Sequence, residues 1–337
     1  MTALSVLFIG GTGVISSACS REAVARGMAV TILTRGTSVT HPQPAGVESL
    51  HADVRDSEAV RSALGERQFD VVADFLSFTP DQVRQQLDHF AGPTRQSGRI
   101  GQYVFISSAS AYQTPPSRLP VTESTPLRNP FWAYSRNKIA CEDLLVRAYR
   151  DDDLPMTIVR PSHTYDHTLP PFHGGWTMVE RMRRGQEVVV HGDGTSLWTI
   201  THHEDFARAF VGLLGRSEAL GEAFHITSDE APTWNRIYTD VAEAAGVEPR
   251  LVHVTSEAIA AQDADFGASL LGDKSNSMVF DNTKVRALVP GWSARIPFRE
   301  GAQQIVDWHG ADPARRRVDP RLDALYDRLV EAHRTPR

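Results

Sequence analysis

Residues 4–16 read LSVLFIGGTGVIS. Leu4–Ile9 is a short apolar run, the pattern of a strand buried on both faces. Gly10, Gly11 and Gly13 follow at once, and a helix-compatible stretch, Ser16–Arg26, begins where they end. A strand, a glycine-rich turn and a helix N-terminus together make a phosphate site. Glycine lets the backbone approach the anion, and the free amides and dipole of the helix favour its charge. An ordinary tight turn uses the same residues, so the weight comes from position: this loop sits at the first strand of a repeating strand–helix pattern.

That pattern continues through Ala29–Leu33, Val71–Ala73, Tyr103–Ser107 and Met156–Val159, short apolar runs separated by the helix-like segments Ser57–Leu64, Pro80–Phe90 and Phe131–Arg150. Regular alternation implies an α/β fold with a doubly wound parallel sheet and right-handed crossovers. The alternation loosens after Arg160. Ser162–Gly175 holds Pro170, Pro171, Gly174 and Gly175, which is loop chemistry, and Pro170–Trp176 is expected to lid a pocket. Helix-like segments follow at Trp176–Arg184, Glu204–Leu214 and Trp234–Ala245. The expected division is a nucleotide-binding unit over residues 1–165 and a smaller C-terminal α+β substrate lobe over 166–337. Residues 204–228 return to the first unit, with Ala223–Ile226 as a late strand.

The 337 residues, 41% hydrophobic and 23% charged, have the composition of an ordinary globular protein. A net charge of -6 offers no basic field, so nucleic acid is not an expected partner. Cys19 and Cys141 fit neither a disulfide framework nor a thiolate metal site. No apolar run approaches the ~20 residues that span a bilayer, and the N-terminus enters its first strand without a basic leader. A cytoplasmic protein with no membrane association is expected.

The second strand ends Ile32, Leu33, Thr34, Arg35. Sites for NAD commonly place an acid there, whereas sites for NADP supply an arginine. Thr34 and Arg35 therefore favour NADP(H), with NAD(H) left open and a plain surface role for Arg35 as the alternative. In HADVRD (51–56), Asp53 and Val54 are placed to reach an adenine edge; the other reading of Asp53 is a cap for the helix at Ser57.

YSRNK (134–138) sets Tyr134 and Lys138 four apart, on one face of a helix. An ammonium so placed is expected to lower the phenol's pKa from ~10 towards neutrality. The phenol can then exchange the proton of an alcohol–carbonyl pair while hydride moves to or from a nicotinamide. Ser108 lies at the end of the strand in FISSASAY (105–112), where it can bond the same substrate oxygen.

With VRPSHTYD (159–166), HGDGTSLWTITHHEDFA (191–207), and FDNTK and VPGW near the end, these motifs run in order along nearly the whole chain. The chain resembles the extended short-chain dehydrogenase/reductase superfamily, in its NAD-dependent epimerase/dehydratase-like group. The resemblance implies a Rossmann domain, a catalytic set of Ser108, Tyr134 and Lys138, and a cofactor lined by Gly10, Thr12, Gly13, Val14, Ile15, Asp53, Val54 and Pro161. It also implies a homodimer through helices that include Phe131–Arg150.

Four departures narrow the function. The third loop glycine is Ser16, which should slightly widen the helix–strand spacing. Ala109 and Ser110 follow Ser108 where sugar-nucleotide dehydratases carry an acidic pair, so dehydration is disfavoured. Trp198 stands where epimerases carry a diphosphate-clamping arginine; an indole offers one N–H and no charge. It can stack on a sugar face or be a core residue of the lobe. Finally, His163 replaces an asparagine, and Asp166-His167 replace a glycine–proline pair.

Ser110, His163, Tyr165 and Trp198 are thus the candidate substrate contacts, for a sugar or small metabolite other than an ordinary nucleoside-diphosphate sugar. No metal is expected, because His202, His203, Glu204 and Asp205 diverge around a helix start. Arg181, Arg183 and Arg184 read as a wet helix face opposite Met178 and Met182. A non-catalytic redox sensor is the competing class. Nucleic-acid binding, which plastid members of the superfamily suggest, lacks a basic and aromatic surface motif here.

Overall fold

The computed structural model describes residues 3–37, 40–90 and 100–334. Its N-terminal unit alternates β1 (Ser5–Ile9), α1 (Val14–Ala25), β2 (Ala29–Thr34), β3 (Glu48–His51), α2 (Ser57–Leu64), β4 (Val71–Asp74), α3 (Pro80–Phe90), β5 (Gln102–Ile106), α4 (Ala133–Asp152) and β6 (Met156–Pro161). The chain continues through β7 (His163–Tyr165), α5 (Trp176–Arg183), β8 (Glu187–His191), β9 (Ile200–His202), α6 (His203–Leu213) and β10 (Ala223–Ile226). Then come α7 (Trp234–Ala244), β11 (Arg250–Val254), α8 (Ser256–Gln262), α9 (Ala264–Ser269), α10 (Thr283–Leu288), α11 (Phe298–Gly310) and α12 (Pro320–His333).

Seven strands form one parallel sheet in the order β10-β6-β5-β4-β1-β2-β3. The apolar run at β1 now has a reason. Val6 and Phe8 join a core with Ala18, Phe206 and Phe210 on one face, while Leu7 and Ile9 join Val60, Val83, Cys141 and Leu145 on the other. Helices cover both faces, so neither side-chain parity has a wet side. The order reverses at β1, between β2 and β4, and the crevice above this switch point is where such sheets hold ligands. Both cysteines are buried and unpaired.

A third core fills the C-terminal lobe, with Met178, Met182, Val188, Trp198, Trp234, Phe298 and Tyr326 among its residues. Arg181 corrects the expected wet face of α5. It is 2% exposed, and it donates to the Glu187 carbonyl, to Asp327 and to Asp323 of α12. Pro170–Trp176 is likewise not a pocket lid. Phe172 packs on Tyr238, Trp176 stacks on His309 at 4.4 Å, and the Tyr326 hydroxyl holds the His173 carbonyl. No helix among the described residues is long and apolar enough to cross a membrane.

Candidate active site

At Gly10 and Gly11 the glycine loop makes contacts that leave no room for a side chain. Gly10 adopts a φ of +91°, and a Cβ there would lie 2.6 Å from Leu76 of the loop after β4. A Cβ on Gly11 would stand 2.3 Å from Ile32 of β2. Ser16 does more than occupy the third glycine position. Its hydroxyl accepts from the Gly13 amide at 2.8 Å and donates to the Gly10 carbonyl, so it stitches the loop closed. Gly13 gives α1 no side-chain cap, and no acid sits in the first turn. A helix N-terminus whose cap residue brings no side chain, behind a cradle that a Cβ would fill, suits a diphosphate.

At the far end of that groove Thr34 accepts from the Gly36 amide, and Arg35 is exposed. Asp53 does not cap α2; Asp56 does, accepting from the Glu58 and Ala59 amides. Asp53 instead pairs with Arg55, whose guanidinium and amide hold its carboxyl down at about 2, with the Arg35 charge contributing. Val54 is half-buried beside it.

Helix α4 begins two residues later than the sequence suggests and runs through the expected Asp151 turn. Its stripe of Lys138, Cys141 and Leu145 is buried against the sheet, one turn after Tyr134. Lys138 is 2% exposed, and its ammonium donates to the carbonyls of Ser77 and Ile106, both at 2.7 Å. Burial pulls its pKa down to about 8. The expected lowering of the phenol does not occur in this arrangement. Burial raises the Tyr134 pKa, contact with the Ser108 hydroxyl pulls it back in part, and Asp273 pushes it further up. The ammonium is engaged by two carbonyls, 6.0 Å from the centre of the phenol ring.

Ser108 ends the extended segment after β5, and its hydroxyl lies 2.9 Å from that of Ser110. Ser110 also accepts from Ser135 at 2.7 Å, while Asn129 donates to the Ser110 carbonyl. The same Asn129 accepts from the Trp132 amide and donates to Gly272, so one side chain ties the serine turn, the start of α4 and a distant segment together.

Ile15, Ser108, Ser110, Tyr134, Pro161, His163 and Trp198 line one cavity of about 310 Å³. Tyr165 is not among them. Its ring turns into the lobe against Phe298 and His202, which removes it as a substrate contact. Alternation alone would put positions 163 and 165 on one face of the three-residue β7, so it is packing against Phe298 and His202, not strand parity, that separates Tyr165 from His163. His163 Nε2 and Trp198 Nε1 are buried without a partner among the described residues. Burial and the Lys274 charge press His163 down to about 3, so its imidazole is neutral. Trp198 is at once a core residue and a cavity wall.

Asp273, Lys274, Trp132, Met278 and Phe280 are further walls, and no sequence motif pointed to the first two. They sit on a π-helical turn, Leu270–Lys274, a local widening that often marks functional sites. The Asp273 carboxyl is pushed up to about 6 by burial, against the opposing Lys274 charge, 3.6 Å away.

The model of the NAD dependent epimerase/dehydratase family matches residues 6–227. The chloroplast stem-loop binding protein of 41 kDa b of Arabidopsis thaliana is 25% identical, over 96% of this chain and 83% of that protein. The spore coat polysaccharide biosynthesis protein SpsK of Bacillus subtilis is 28% identical over 61% and 71% of the two chains. Among solved structures, the UDP-glucose 4-epimerase of Thermus thermophilus, in complex with NAD, superposes with a TM-score of 0.71 at 24% identity. That match covers 91% of this chain and 99% of the other.

Proposed function

The chain is an enzyme of the NAD dependent epimerase/dehydratase family, and from that premise we propose that it oxidises or reduces a secondary carbinol of a sugar or small metabolite. The observation that carries the reading is the convergence of Ile15, Ser108, Tyr134 and Pro161 on one cavity. The loop Gly10–Ile15 would hold the dinucleotide's diphosphate, Thr34, Arg35, Asp53 and Val54 its adenosine end, and Pro161 and Lys138 its nicotinamide end. The bound dinucleotide supplies the hydride donor or acceptor.

The chain's own contribution is proton handling. Tyr134 exchanges the proton of the substrate oxygen, and Ser108, oriented by Ser110, bonds that oxygen. Lys138 is held rigid by Ser77 and Ile106. Asp273 and Lys274 offer a carboxyl and a cation to substrate hydroxyls. Trp198, where the family pattern has a diphosphate-clamping arginine, favours a free or glycosidic sugar over a nucleotide sugar. Ala109 and Ser110 beside Ser108 disfavour dehydration.

Tyr134→Phe should abolish turnover while dinucleotide affinity, measured by calorimetry, changes less than about threefold; equal loss of both would make the tyrosine structural. Arg35 supports a preference for NADP(H). In Arg35→Ala the affinity for NADP(H) should fall about tenfold relative to NAD(H), the worth of one charge-assisted bond; an unchanged ratio refutes the preference. A dinucleotide retained through purification would indicate epimerisation rather than net redox turnover. The Arabidopsis relative's name keeps stem-loop binding as a second reading, which a salt-sensitive gel shift with stem-loop RNA would support.

A further inference from the structure

The pair Asp166-His167, where the family pattern has glycine–proline, plays no part in the reaction just described. Asp166 follows β7 and is fully buried. Its Oδ1 accepts from the Thr168 amide at 2.8 Å and the Thr168 hydroxyl at 2.6 Å, which fixes the carboxylate plane. The other oxygen, Oδ2, faces imidazoles. His41, from the loop after β2, reaches it through Nε2 at 2.5 Å. His203, the first residue of α6 and 2% exposed, brings Nδ1 to 3.9 Å. His167 completes the group: one ligand-capable atom from each of Asp166, His167 and His203 lies within 4.8 Å of the other two.

One imidazole would satisfy a buried carboxylate. Three gathered from separate segments around it make a donor set. A carboxylate at the centre repels an anion, so the fitting guest is a cation. Two imidazoles and a carboxylate suit a first-row divalent ion such as zinc. Ligands about 2.1 Å from one tetrahedral ion stand about 3.4 Å apart, so an inward movement of about an ångström closes the set. The outer partners are already present. The Val14 carbonyl, 3.0 Å from His203 Nδ1, can only accept, so Nδ1 carries the proton, and His203 would ligate through Nε2 rather than through the Nδ1 that lies 3.9 Å from Asp166. His41 and Thr168 orient Asp166 in the same way.

We propose that Asp166, His167 and His203 bind one divalent transition-metal ion, with His41 and the Val14 carbonyl as outer partners. The ion would pin the loop after β2, the first turn of α1 and the start of α6 to one another. The grouping differs from the consecutive run His202–Asp205, in which His202 instead bonds Gln304 and Asp205 turns to the backbone of Arg295 and Ile296.

The test is titration of metal-stripped, tag-free, full-length protein with Co²⁺ and Zn²⁺, followed by calorimetry and visible absorption. One ion per chain is expected, with visible Co²⁺ bands, and at least about tenfold weaker binding in His167→Gln and His203→Gln. His167 is only half-buried, so its variant should keep the unfolding temperature and NAD(P) affinity of the parent even if His203→Gln misfolds. Failure of the parent to bind either ion, or equal binding by His167→Gln, overturns the proposal and leaves a hydrogen-bond network. Neither result depends on the identity of the reaction.

Discussion

Lys138 keeps its charge where water does not reach, held by two carbonyls rather than by a carboxylate. Its folded pKa of about 8 lies below the ordinary 10.5, with burial as the largest cause. Below pH 8 both folded and unfolded chains carry the proton, and the folded state bears the full desolvation penalty. Between pH 8 and 10.5 only the unfolded chain holds it, so this group's contribution to stability rises with pH. The stability of the parent relative to Lys138→Met should therefore shift in the parent's favour by about 3 kcal/mol between about pH 7 and 10.5. Urea denaturation at several pH values reads this directly, and a flat difference would show that the ammonium is not desolvated.

At the scale of the element, the loop between β1 and α1 separates two kinds of glycine. Gly11 is fixed by its neighbour: a methyl group would overlap Ile32 of β2. Gly13 has an extended backbone that any residue adopts, and its nearest obstacle is the Ser16 hydroxyl at 3.3 Å. Gly11→Ala should cost about 1–3 kcal/mol through overpacking, seen as a lower unfolding temperature, whereas Gly13→Ala should leave that temperature within about a degree or two of the parent's. Both should weaken dinucleotide binding, because each change disturbs the backbone that the anion approaches. A Gly11→Ala protein as stable as its parent would mean that the loop and β2 are less closely packed than the structure has them.

Across the whole molecule, the core under the main sheet and the C-terminal segments are joined by residues far apart in sequence. Asp205, in the first turn of α6, accepts from the amides of Arg295 and Ile296 just before α11, and its own carbonyl accepts from the Trp292 indole. Helix α6 packs on α1 beneath the main sheet, so this one carboxylate anchors the segment before α11 to the main-sheet core. Asp205→Ala would leave two amides unpaired, a cost of about 2–4 kcal/mol. The segment 293–297 should then become the first site of limited proteolysis; cleavage elsewhere, with 293–297 still protected, would show that other contacts hold it.

The amino-acid sequence by itself determined the α/β alternation, the glycine loop at the first strand and the shared face of Tyr134 and Lys138. These depend on short-range rules: side-chain parity on a strand, about 3.6 residues per helical turn and the steric freedom of glycine. Only the tertiary structure decided that Tyr165 faces the lobe core, that Arg181 is buried between aspartates, and that Asp273 and Lys274 share a cavity with Ser108. It alone gathers His41, Asp166, His167 and His203 at one point. Those placements follow from which surfaces of distant segments pack together, and local spacing carries no record of a neighbour far along the chain.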